Sequence, residues 1–251
     1  MTKLPFRKQL DAAADAALAL LYPMRCAACG VAGVERRADA PACAACWDAT
    51  PIFTGDETLC WKCGTPAHVE LPPEVRGRVR CGRCDTDEYT AARAAGVYEG
   101  ALRAAVLRLK REPYVGARLE LLLAQAQRRP PLDRARLVVP VPLHEERLRE
   151  RGFNQAALLA RAVASRNRLS LDEWSLSRRR HAERHRAGMD VRARRETVED
   201  AFRVTRPRLV AGHPVLIVDD VFTTGATVSS CARALREAGA PEVFVLTAAR
   251  A

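Results

Sequence analysis

The clearest hydrophobic pattern in the chain lies at residues 215–239. Residues 215–218 are four apolar residues in a row, which predicts a strand buried on both faces, as in a parallel sheet. Two acids and a short turn of threonine and glycine follow this run. Residues 226–238 then carry apolar residues at helical spacing and stop before Gly239. The order of strand, loop and helix predicts an α/β domain.

Weaker periodic segments predict the rest of this domain. Apolar runs predict further strands at residues 94–98, 137–141, 171–176, 201–204 and 242–248. Helical spacing predicts helices at residues 101–111, 115–129 and from Gly152 to about Arg166. The composition changes near residue 90. We therefore expect three parts, namely an N-terminal helix over residues 1–23, a cysteine-rich segment over residues 24–90 and the α/β domain over residues 91–251.

The first 23 residues are a candidate targeting segment. Basic residues precede a run of alanine and leucine there, but Asp11 and Asp15 interrupt this run and no small-residue cleavage site follows. The segment therefore predicts a short amphipathic helix rather than a signal peptide. No run of eighteen apolar residues occurs in the chain, so we expect no membrane span.

The formal net charge of +11 is carried mainly by arginine, because only four of the 41 basic residues are lysines. Arginine favours bidentate phosphate contacts, so nucleic acid or another polyanion fits this composition as a partner. A proteome rich in arginine and alanine, encoded by a GC-rich genome, would show the same bias. Charge alone therefore does not decide between the two explanations.

Eight of the nine cysteines form four Cys-x-x-Cys pairs, which are Cys26/Cys29, Cys43/Cys46, Cys60/Cys63 and Cys81/Cys84. The first two pairs are separated by 13 residues and the last two by 17, which is typical of zinc ribbons. Glycine follows three of the cysteines and suits a tight turn. The pattern predicts two structural Zn²⁺ sites of four cysteines each. Because the segment has few apolar residues, we expect the metals to substitute for a core.

Alternatives for these cysteines are redox dithiols, disulfides and an iron–sulfur cluster, which fit the regular spacing and the missing secretion signal less well. Sequential pairing of the Cys-x-x-Cys units is the simplest arrangement, while a cross-braced arrangement also satisfies the sequence. A site closed by four thiolates leaves no open position for chemistry. The ninth cysteine, Cys231, is expected to be an ordinary buried thiol.

Asp219 and Asp220 begin a candidate functional site at the end of the predicted strand. A helix N-terminus after a glycine turn presents free N–H groups and a positive dipole end, which can bind phosphate. Three threonines of the turn add hydroxyl donors, while carboxylates accept hydrogen bonds from vicinal hydroxyls. A ribose 5-phosphate fits both halves, and the Gly-Lys-Ser/Thr of a Walker A loop is missing. The alternative is a helix-capping pair followed by a plain connection.

A second strand end, at residues 139–143, precedes three arginines at positions 147, 149 and 151. Their guanidinium groups would clamp a pyrophosphate bridged by Mg²⁺. In the alternative, the three glutamates of the same stretch neutralise them at a solvated helix start. Residues 178–195 are dense in arginine and are either a lid over a substrate or a solvated loop. A lid would keep water from an oxocarbenium-like transition state.

Together these motifs resemble one family along nearly the whole chain. The matching residues are the Leu-rich lead into Pro23-x-x-Cys26, the four Cys pairs, Tyr98-Glu-Gly-Ala-Leu-Arg with Leu109-Lys110, Val139-Pro-Val-Pro-Leu143, Arg151-Gly-Phe-Asn-Gln155, Ala201-Phe202, and Asp219-Asp220 with Thr223 to Thr227. The last of these resembles the 5-phosphoribosyl-1-pyrophosphate (PRPP) signature of the type I phosphoribosyltransferases. As a whole, the chain resembles the ComF family of competence proteins (ComFC and GntX-like), which join a double zinc ribbon to a type I phosphoribosyltransferase domain.

The resemblance implies an α/β fold of the type I phosphoribosyltransferase-like kind, a mainly parallel sheet flanked by helices, with a small N-terminal zinc-ribbon domain. It implies that Asp219 and Asp220 are catalytic residues that hold the ribose hydroxyls. It implies a PRPP site, used with Mg²⁺, that consists of Val221, Phe222, Thr223, Thr224, Gly225, Ala226, Thr227, Pro142, Leu143 and Arg151. It also implies cytoplasmic action on incoming single-stranded DNA during natural transformation, beside a helicase-like partner.

Two departures from the family pattern fall before Ala201. A Thr-x-x-Gln and an Arg-x-x-Asn pattern are expected there, whereas the chain has Glu183-Arg-His-Arg186 and Arg194-Arg-Glu-Thr197. Two hypotheses therefore stand. The protein binds PRPP or a ribose phosphate and handles internalised single-stranded DNA without turnover, or it transfers a phosphoribosyl group from PRPP to an unidentified acceptor.

Overall fold

The computed structural model describes residues 24–31, 33–67, 69–178 and 201–251. The predicted N-terminal helix lies outside these residues, as do both departures from the family pattern. The predicted lid also lies outside them, except for Arg178.

Five parallel strands form the central sheet. The strands in the described residues are β1 (Ala91–Ala94), β2 (Leu137–Pro140), β3 (Ser170–Leu171), β4 (Leu176–Arg178), β5 (Phe202–Val204), β6 (Val215–Phe222) and β7 (Val243–Arg250). The sheet has the order β1-β7-β6-β2-β3, and each neighbouring pair in it is parallel. β4 and β5 form a separate antiparallel pair. Because a parallel sheet is covered on both faces, residues 215–218 and 243–246 are fully buried.

Helices cover both faces of the sheet. In the described residues they are α1 (Ala44–Asp48), α2 (Pro73–Arg76), α3 (Gly100–Leu109), α4 (Ala117–Gln127), α5 (Glu145–Arg151), α6 (Gln155–Asn167), α7 (Pro207–Val210) and α8 (Ala226–Glu237). One core joins α3, α4 and α6 to Leu216 and Leu246, and the other joins α8 to Ile217 and Val245. This division follows from the strands, whose successive side chains point to opposite faces. Within the described part of the chain, no helix has the length and apolar character needed to cross a membrane.

The cysteine-rich segment contributes to both of these cores. Cys43 and Trp47 are buried in the core of the α3, α4 and α6 face. Cys60, Cys84 and Tyr89 are buried in the core of the α8 face. The expectation that metals substitute for a core is therefore wrong in part, because each half of the segment shares a core with one face of the sheet.

Arg118 of α4 fixes the first half of the segment to the sheet domain. Its guanidinium group pairs with Asp39 at 3.3 Å and with Asp48 at 3.1 Å. The same group lies 5.2 Å from the centre of the Trp47 ring. Trp47 is held in turn by a hydrogen bond of 2.6 Å that its Nε1 donates to the backbone oxygen of Asp39. A single cation thus connects α4 to the ribbon through charge and through ring stacking.

Two of the predicted strands are displaced or divided. The strand expected at residues 94–98 lies earlier, as β1 at Ala91–Ala94. It ends there because the chain after Ala94 turns toward the ribbon, where Phe53 donates a backbone hydrogen bond of 2.9 Å to Ala95. The strand expected at residues 171–176 is divided into β3 and β4. The Asp172 carboxylate accepts hydrogen bonds from the backbone N–H groups of Trp174 and Ser175 at 2.9 and 3.0 Å, which turns the chain out of the sheet.

The charged stretch after β2 is helical in the structure. It forms α5, and the Nδ1 atom of His144 accepts a hydrogen bond of 3.3 Å from the backbone of Glu146 at the start of the helix. Acidic residues in the first turn and arginines in the last turn complement the helix dipole. This agrees with the alternative in which these glutamates and arginines belong to a solvated helix start.

Candidate functional site

The eight paired cysteines form two clusters, and they do so by sequential pairing. In each cluster the four Sγ atoms lie within 4.8 Å of one another, and the clusters are Cys26, Cys29, Cys43 and Cys46, and Cys60, Cys63, Cys81 and Cys84. Sγ–Sγ distances of 3.5, 3.6 and 3.7 Å in the second cluster are close to the edge of about 3.8 Å expected for a tetrahedron with Zn–S bonds of about 2.3 Å. The clusters therefore fit Zn²⁺, and the cross-braced arrangement does not occur.

Glycines shape the turns of both clusters. Gly30, Gly64 and Gly82 follow a cysteine and have φ angles of 75°, 71° and 72°, a region that glycine occupies without strain. In the first cluster, backbone N–H groups of three residues donate to the Cys26 sulfur at 3.3 to 3.5 Å. Such donors stabilise a thiolate, which is the form of cysteine that binds metal.

Arg250, at the end of β7, connects the second cluster to the candidate phosphate turn. It donates hydrogen bonds to the backbone oxygen of Cys63 at 2.7 Å and to the hydroxyl of Thr65. Its guanidinium group also lies 4.4 Å from the centre of the Phe222 ring. The Phe222 ring borders Gly225, since a Cβ at that glycine would lie 2.9 Å from the ring. The second cysteine cluster therefore supports the turn through the side chains of Arg250 and Phe222.

Asp219 and Asp220 lie inside β6, which continues to Phe222, and not after the strand as the sequence predicts. Asp220 is 8% exposed and its Oδ2 atom lies 3.3 Å from Nζ of Lys110, at the end of α3. Its Oδ1 atom accepts a hydrogen bond of 2.8 Å from the backbone of Val221. Apart from the ion pair with Lys110, Oδ2 has no hydrogen-bond partner among the described residues. A buried carboxylate oxygen is thus left open to a donor.

Asp219 is partly buried, and its Oδ1 atom accepts a hydrogen bond of 2.8 Å from the backbone of Asp220. Burial, followed by the charge of Asp219, raises the pKa of the buried Cys231 thiol on α8. Burial and the negative charge of Asp220 raise the pKa of Asp219 itself to about 8. The two carboxylates are therefore close enough for the charge of one to disfavour ionisation of the other.

The turn after β6 has the features of an anion site. Gly225 has a φ angle of 81° and occupies the N-cap position of α8, where it offers no side-chain acceptor to the N–H groups of the first turn. Thr223 and Thr224 are exposed. The Thr224 hydroxyl accepts a long hydrogen bond of 3.4 Å from the backbone of Ala226. Ala226 and Thr227 open the helix and are partly exposed, so the predicted turn residues do lie together at one helix N-terminus.

The second strand end lies beside this turn. β2 pairs with β6, and Val141 donates a backbone hydrogen bond of 3.0 Å to Val218, directly before the two acids. Pro142 and Leu143 leave the sheet from that point and are partly exposed. Arg151, at the end of α5, donates a hydrogen bond of 2.9 Å to the side chain of Gln155. Pro142 and Leu143 thus lie at the same edge as the acids, and Arg151 is engaged with α6.

Lys110 is a neighbour of the site whose contact the sequence does not reveal, and Arg178 is the first residue of the predicted lid. Lys110 is one of the four lysines of the chain and lies in the Leu109-Lys110 pair that matches the family. Its ion pair with Asp220 nevertheless depends on the packing of α3 against the sheet. Arg178 is partly buried, and its guanidinium group lies 5.5 Å from the centre of the Phe202 ring. Arg178 pairs with Phe202 across β4 and β5, so the last described residue before position 179 lies next to the second described residue after position 200.

Replacing Asp219 with asparagine is expected to stabilise the protein in a pH-dependent way. Because the folded-state pKa of Asp219 is raised to about 8, the folded protein holds this proton more tightly than the unfolded chain, whose pKa is about 3.9. The resulting stability is present below about pH 4 and is lost as the pH rises to about 8. Because Asp219 is partly exposed, solvent screening reduces the energy below what the full pKa change would give. Relative to wild type, Asp219→Asn should therefore raise the melting temperature by about 3–6 °C at pH 9 and by much less at pH 5.

Thermal unfolding of both proteins at the two pH values measures this difference. Asp133→Asn, at an exposed aspartate before β2, is the matched control and should show no such trend. An equal effect of Asp219→Asn at pH 5 and pH 9 would contradict the raised pKa.

Comparison with known families identifies both parts of the chain. A model of the double zinc ribbon domain matches residues 17–85. A model of the phosphoribosyl transferase domain matches residues 151–250. With the two four-cysteine clusters and the parallel sheet, these matches define a class of protein in which a double zinc ribbon is joined to a phosphoribosyltransferase-like domain.

Named relatives narrow this class. The DNA utilization protein YhgH of Escherichia coli K12 is 34% identical over 212 residues, which are 81% of this chain and 87% of the relative. Competence protein F of Haemophilus influenzae is 31% identical over 134 residues, 53% of this chain and 58% of the relative. Competence protein ComFC of Bacillus subtilis is 32% identical over 110 residues, 43% of this chain and 41% of the relative. The chain belongs to the ComF family, and the expected family and fold class are confirmed.

Proposed function

We propose that the edge formed by the ends of β2 and β6 binds PRPP or another ribose phosphate, and that the protein uses this site in handling internalised single-stranded DNA during natural competence. The observation that carries the first part is the buried Oδ2 atom of Asp220, which is paired with Lys110 at 3.3 Å but accepts no hydrogen bond from the described residues. A carboxylate oxygen accepts more than one hydrogen bond, so a ribose hydroxyl would add a donor to it.

Each part of the ligand has a matching group in the chain. Asp219 and Asp220 would accept hydrogen bonds from the two ribose hydroxyls. The N–H groups at the start of α8 and the exposed threonine hydroxyls would receive the 5-phosphate, because the helix dipole and free donors favour an anion there. The loop from Pro142 would border the pyrophosphate. Mg²⁺ bound with PRPP would neutralise the pyrophosphate charge, and the two aspartates offer the carboxylate oxygens that this ion prefers.

The DNA-handling part of the proposal is supported by the relatives and by charge. The names of the matched relatives refer to DNA utilization and to competence. A formal charge of +11, mostly arginine, suits contacts with a phosphate backbone. The proposal includes cytoplasmic action and a helicase-like partner, as the resemblance to the family implies.

A second candidate function is transfer of the phosphoribosyl group from PRPP to an acceptor. The intact order of acids, threonines and glycine along β6 and α8 favours it, because this is the part of the site that would hold PRPP during the reaction. Transfer would break the bond between C1 of the ribose and pyrophosphate and form a bond from C1 to the acceptor. Binding without transfer remains the first proposal because Arg186 and Thr197 replace the amides that the family pattern leads us to expect, which fits a binding role in place of turnover.

Titration calorimetry with PRPP, with and without Mg²⁺, tests the binding proposal. Wild type should bind with Mg²⁺, and the double variant Asp219→Ala/Asp220→Ala should bind at least about 100-fold more weakly, because two groups that hold the ribose are lost. Asp133→Ala, at an exposed aspartate away from the edge, is the control and should bind like wild type. Equal affinity of the double variant and wild type would rule out this site.

Pyrophosphate release separates the two functions. Release that requires an added acceptor and disappears in the double variant supports transfer. PRPP binding without release, for every nucleobase, nucleoside and oligonucleotide supplied, supports the binding role.

A further inference from the structure

A cavity of about 530 Å³ lies where the second half of the ribbon segment meets the sheet domain. Its walls come from residues 53–61, from the end of α2, from β1 and from the end of α4 with the two prolines that follow. None of the residues that line it belongs to the candidate PRPP site. Pockets for small ligands usually have volumes of about 300–1,000 Å³, so this cavity has the size of a binding site.

Flat apolar groups form part of the wall. They are the rings of Phe53 and Trp61 and the prolines Pro130 and Pro131. Trp61 is fixed through its backbone, which donates a hydrogen bond of 2.8 Å to Val79 and accepts one of 2.9 Å from Arg93. Arg80 lies 4.7 Å from the centre of the Trp61 ring, which anchors the ring further. A fixed indole at the edge of a cavity is a stacking platform for another planar group.

Three arginines also line the cavity, and no carboxylate of the described residues pairs with any of them. Arg76, Arg93 and Arg129 each donate a hydrogen bond to a backbone oxygen, at 2.7, 2.9 and 2.5 Å. These bonds hold the walls in place and leave the positive charges uncompensated by an ion pair. A guanidinium group carries five N–H donors, so each arginine retains donors for an anion.

Two acids of the same wall narrow the choice of anion. Asp56 and Glu57 belong to a loop that closes on itself, because Glu57 accepts backbone hydrogen bonds from Thr54 at 2.7 Å and from Gly55 at 3.0 Å. These carboxylates would accept hydrogen bonds from the N–H groups of a nucleobase, such as N3–H of thymine, and the aromatic wall also suits a base.

We propose that this cavity binds one nucleotide unit of single-stranded DNA, with the base against Trp61 and Phe53 and the flanking phosphates at Arg76 and Arg129. The proposal deepens the DNA-handling part of the proposed function, on which it rests, by giving the strand a place of contact. It separates that contact from the PRPP site, so the two ligands bind to different parts of the molecule.

Fluorescence anisotropy with a labelled oligonucleotide of twenty thymidines tests the proposal on the full chain. Trp61→Leu should weaken binding about tenfold or more, because base stacking on an aromatic ring is lost. Trp174→Leu is the matched control, since Trp174 is 71% exposed and does not line the cavity. It should change the affinity by less than about twofold. Arg76→Glu, a charge reversal at the same wall, should also weaken binding about tenfold. It should make the loss of affinity with rising salt less steep than in wild type, because one phosphate contact is lost.

Three accompanying measurements keep the outcomes distinct. The zinc content of each variant shows whether the ribbon is intact, and affinity for PRPP with Mg²⁺ should equal that of wild type. Photo-crosslinking of wild type to the oligonucleotide with 5-iodouracil at one position, followed by mass spectrometry, should attach the strand to the peptide that contains Trp61.

The possible results separate this inference from the proposed function. Wild-type affinity in both Trp61→Leu and Arg76→Glu, with crosslinks only outside residues 53–61, would overturn the cavity proposal and leave DNA binding in place. Failure of the wild-type protein to bind the oligonucleotide at low salt would instead overturn the DNA-handling function itself. If Trp61→Leu loses zinc, then Arg76→Glu and the crosslink decide the question.

Discussion

Replacing Cys84 with serine is expected to reduce the zinc content from two ions to one per chain and to unfold the second half of the ribbon segment. Cys84 is 3% exposed and its sulfur lies 3.6 and 3.7 Å from two other sulfurs of its cluster. A structural zinc site contributes about 10–16 kcal/mol of apparent binding free energy, comparable to the whole stability of a domain. Loss of one thiolate should therefore remove the ion rather than weaken its binding.

The effect should extend beyond the ribbon. Cys60, Cys84 and Tyr89 are part of the core on the α8 face, so their release exposes the apolar side of α8 and of β6. We expect the melting temperature to fall by about 10 °C or more and the affinity for PRPP to fall with it. Atomic emission spectroscopy measures the metal, and circular dichroism measures the unfolding.

Cys231→Ser is the matched control for this experiment. Cys231 is as deeply buried as Cys84, but it lies on α8 outside both clusters. The same exchange of sulfur for oxygen should leave two zinc ions bound and lower the stability by only about 1–3 kcal/mol. Retention of two zinc ions by Cys84→Ser would contradict the assignment of the cluster.

Replacing Gly225 with alanine is expected to lower the affinity for PRPP by about 100-fold or more. Gly225 has a φ angle of 81°, and a Cβ there would lie 2.9 Å from the Phe222 ring. The ring is held between Arg250 and Tyr89, whose ring centre lies 6.1 Å from it, so it has little room to move. The turn itself must shift, which misaligns the N–H groups of α8 with the phosphate. Titration calorimetry with PRPP and Mg²⁺ measures the change.

Gly212→Ala separates the clash from the backbone strain. Gly212 has a φ angle of 78°, but a Cβ added there would meet no atom within 4 Å beyond its immediate neighbours. Both substitutions should lower the stability by about 1 kcal/mol through the left-handed backbone alone. Only Gly225→Ala should lose ligand affinity, and equal ligand affinity of the two variants would argue against the turn as the phosphate site.

Local patterns predicted the elements that depend on few distant contacts. The four apolar residues before Asp219 formed a strand covered on both faces, since such a run is stable only inside a sheet. The spacing of the Cys-x-x-Cys pairs predicted two zinc sites because a knuckle turn fixes two thiolates over four residues. The pairing of the units was open in the sequence, because both arrangements satisfy the same spacing.

Features that depend on tertiary packing could not be predicted. The extension of β6 through the acids requires β7 as a partner, since Asp219 pairs with Thr247 and Phe222 with Arg250. The ion pair of Lys110 with Asp220 joins residues 110 positions apart in the sequence, and no local pattern indicates it. Division of the strand at residues 171–176 followed from the side chain of Asp172, whose turn-forming hydrogen bonds a hydrophobic pattern does not reveal.

The two shared cores determine how far the ribbon and the sheet are separate entities. The family matches divide the chain into residues 17–85 and 151–250, but Trp47 and Cys84 of the first match are buried in the same cores as Leu216 and Ile217 of the second. A fragment that held the sheet alone would expose both of those cores to water and lose the anchors of Arg118 and Arg250. We therefore expect the ribbon and the sheet to unfold together in one cooperative transition.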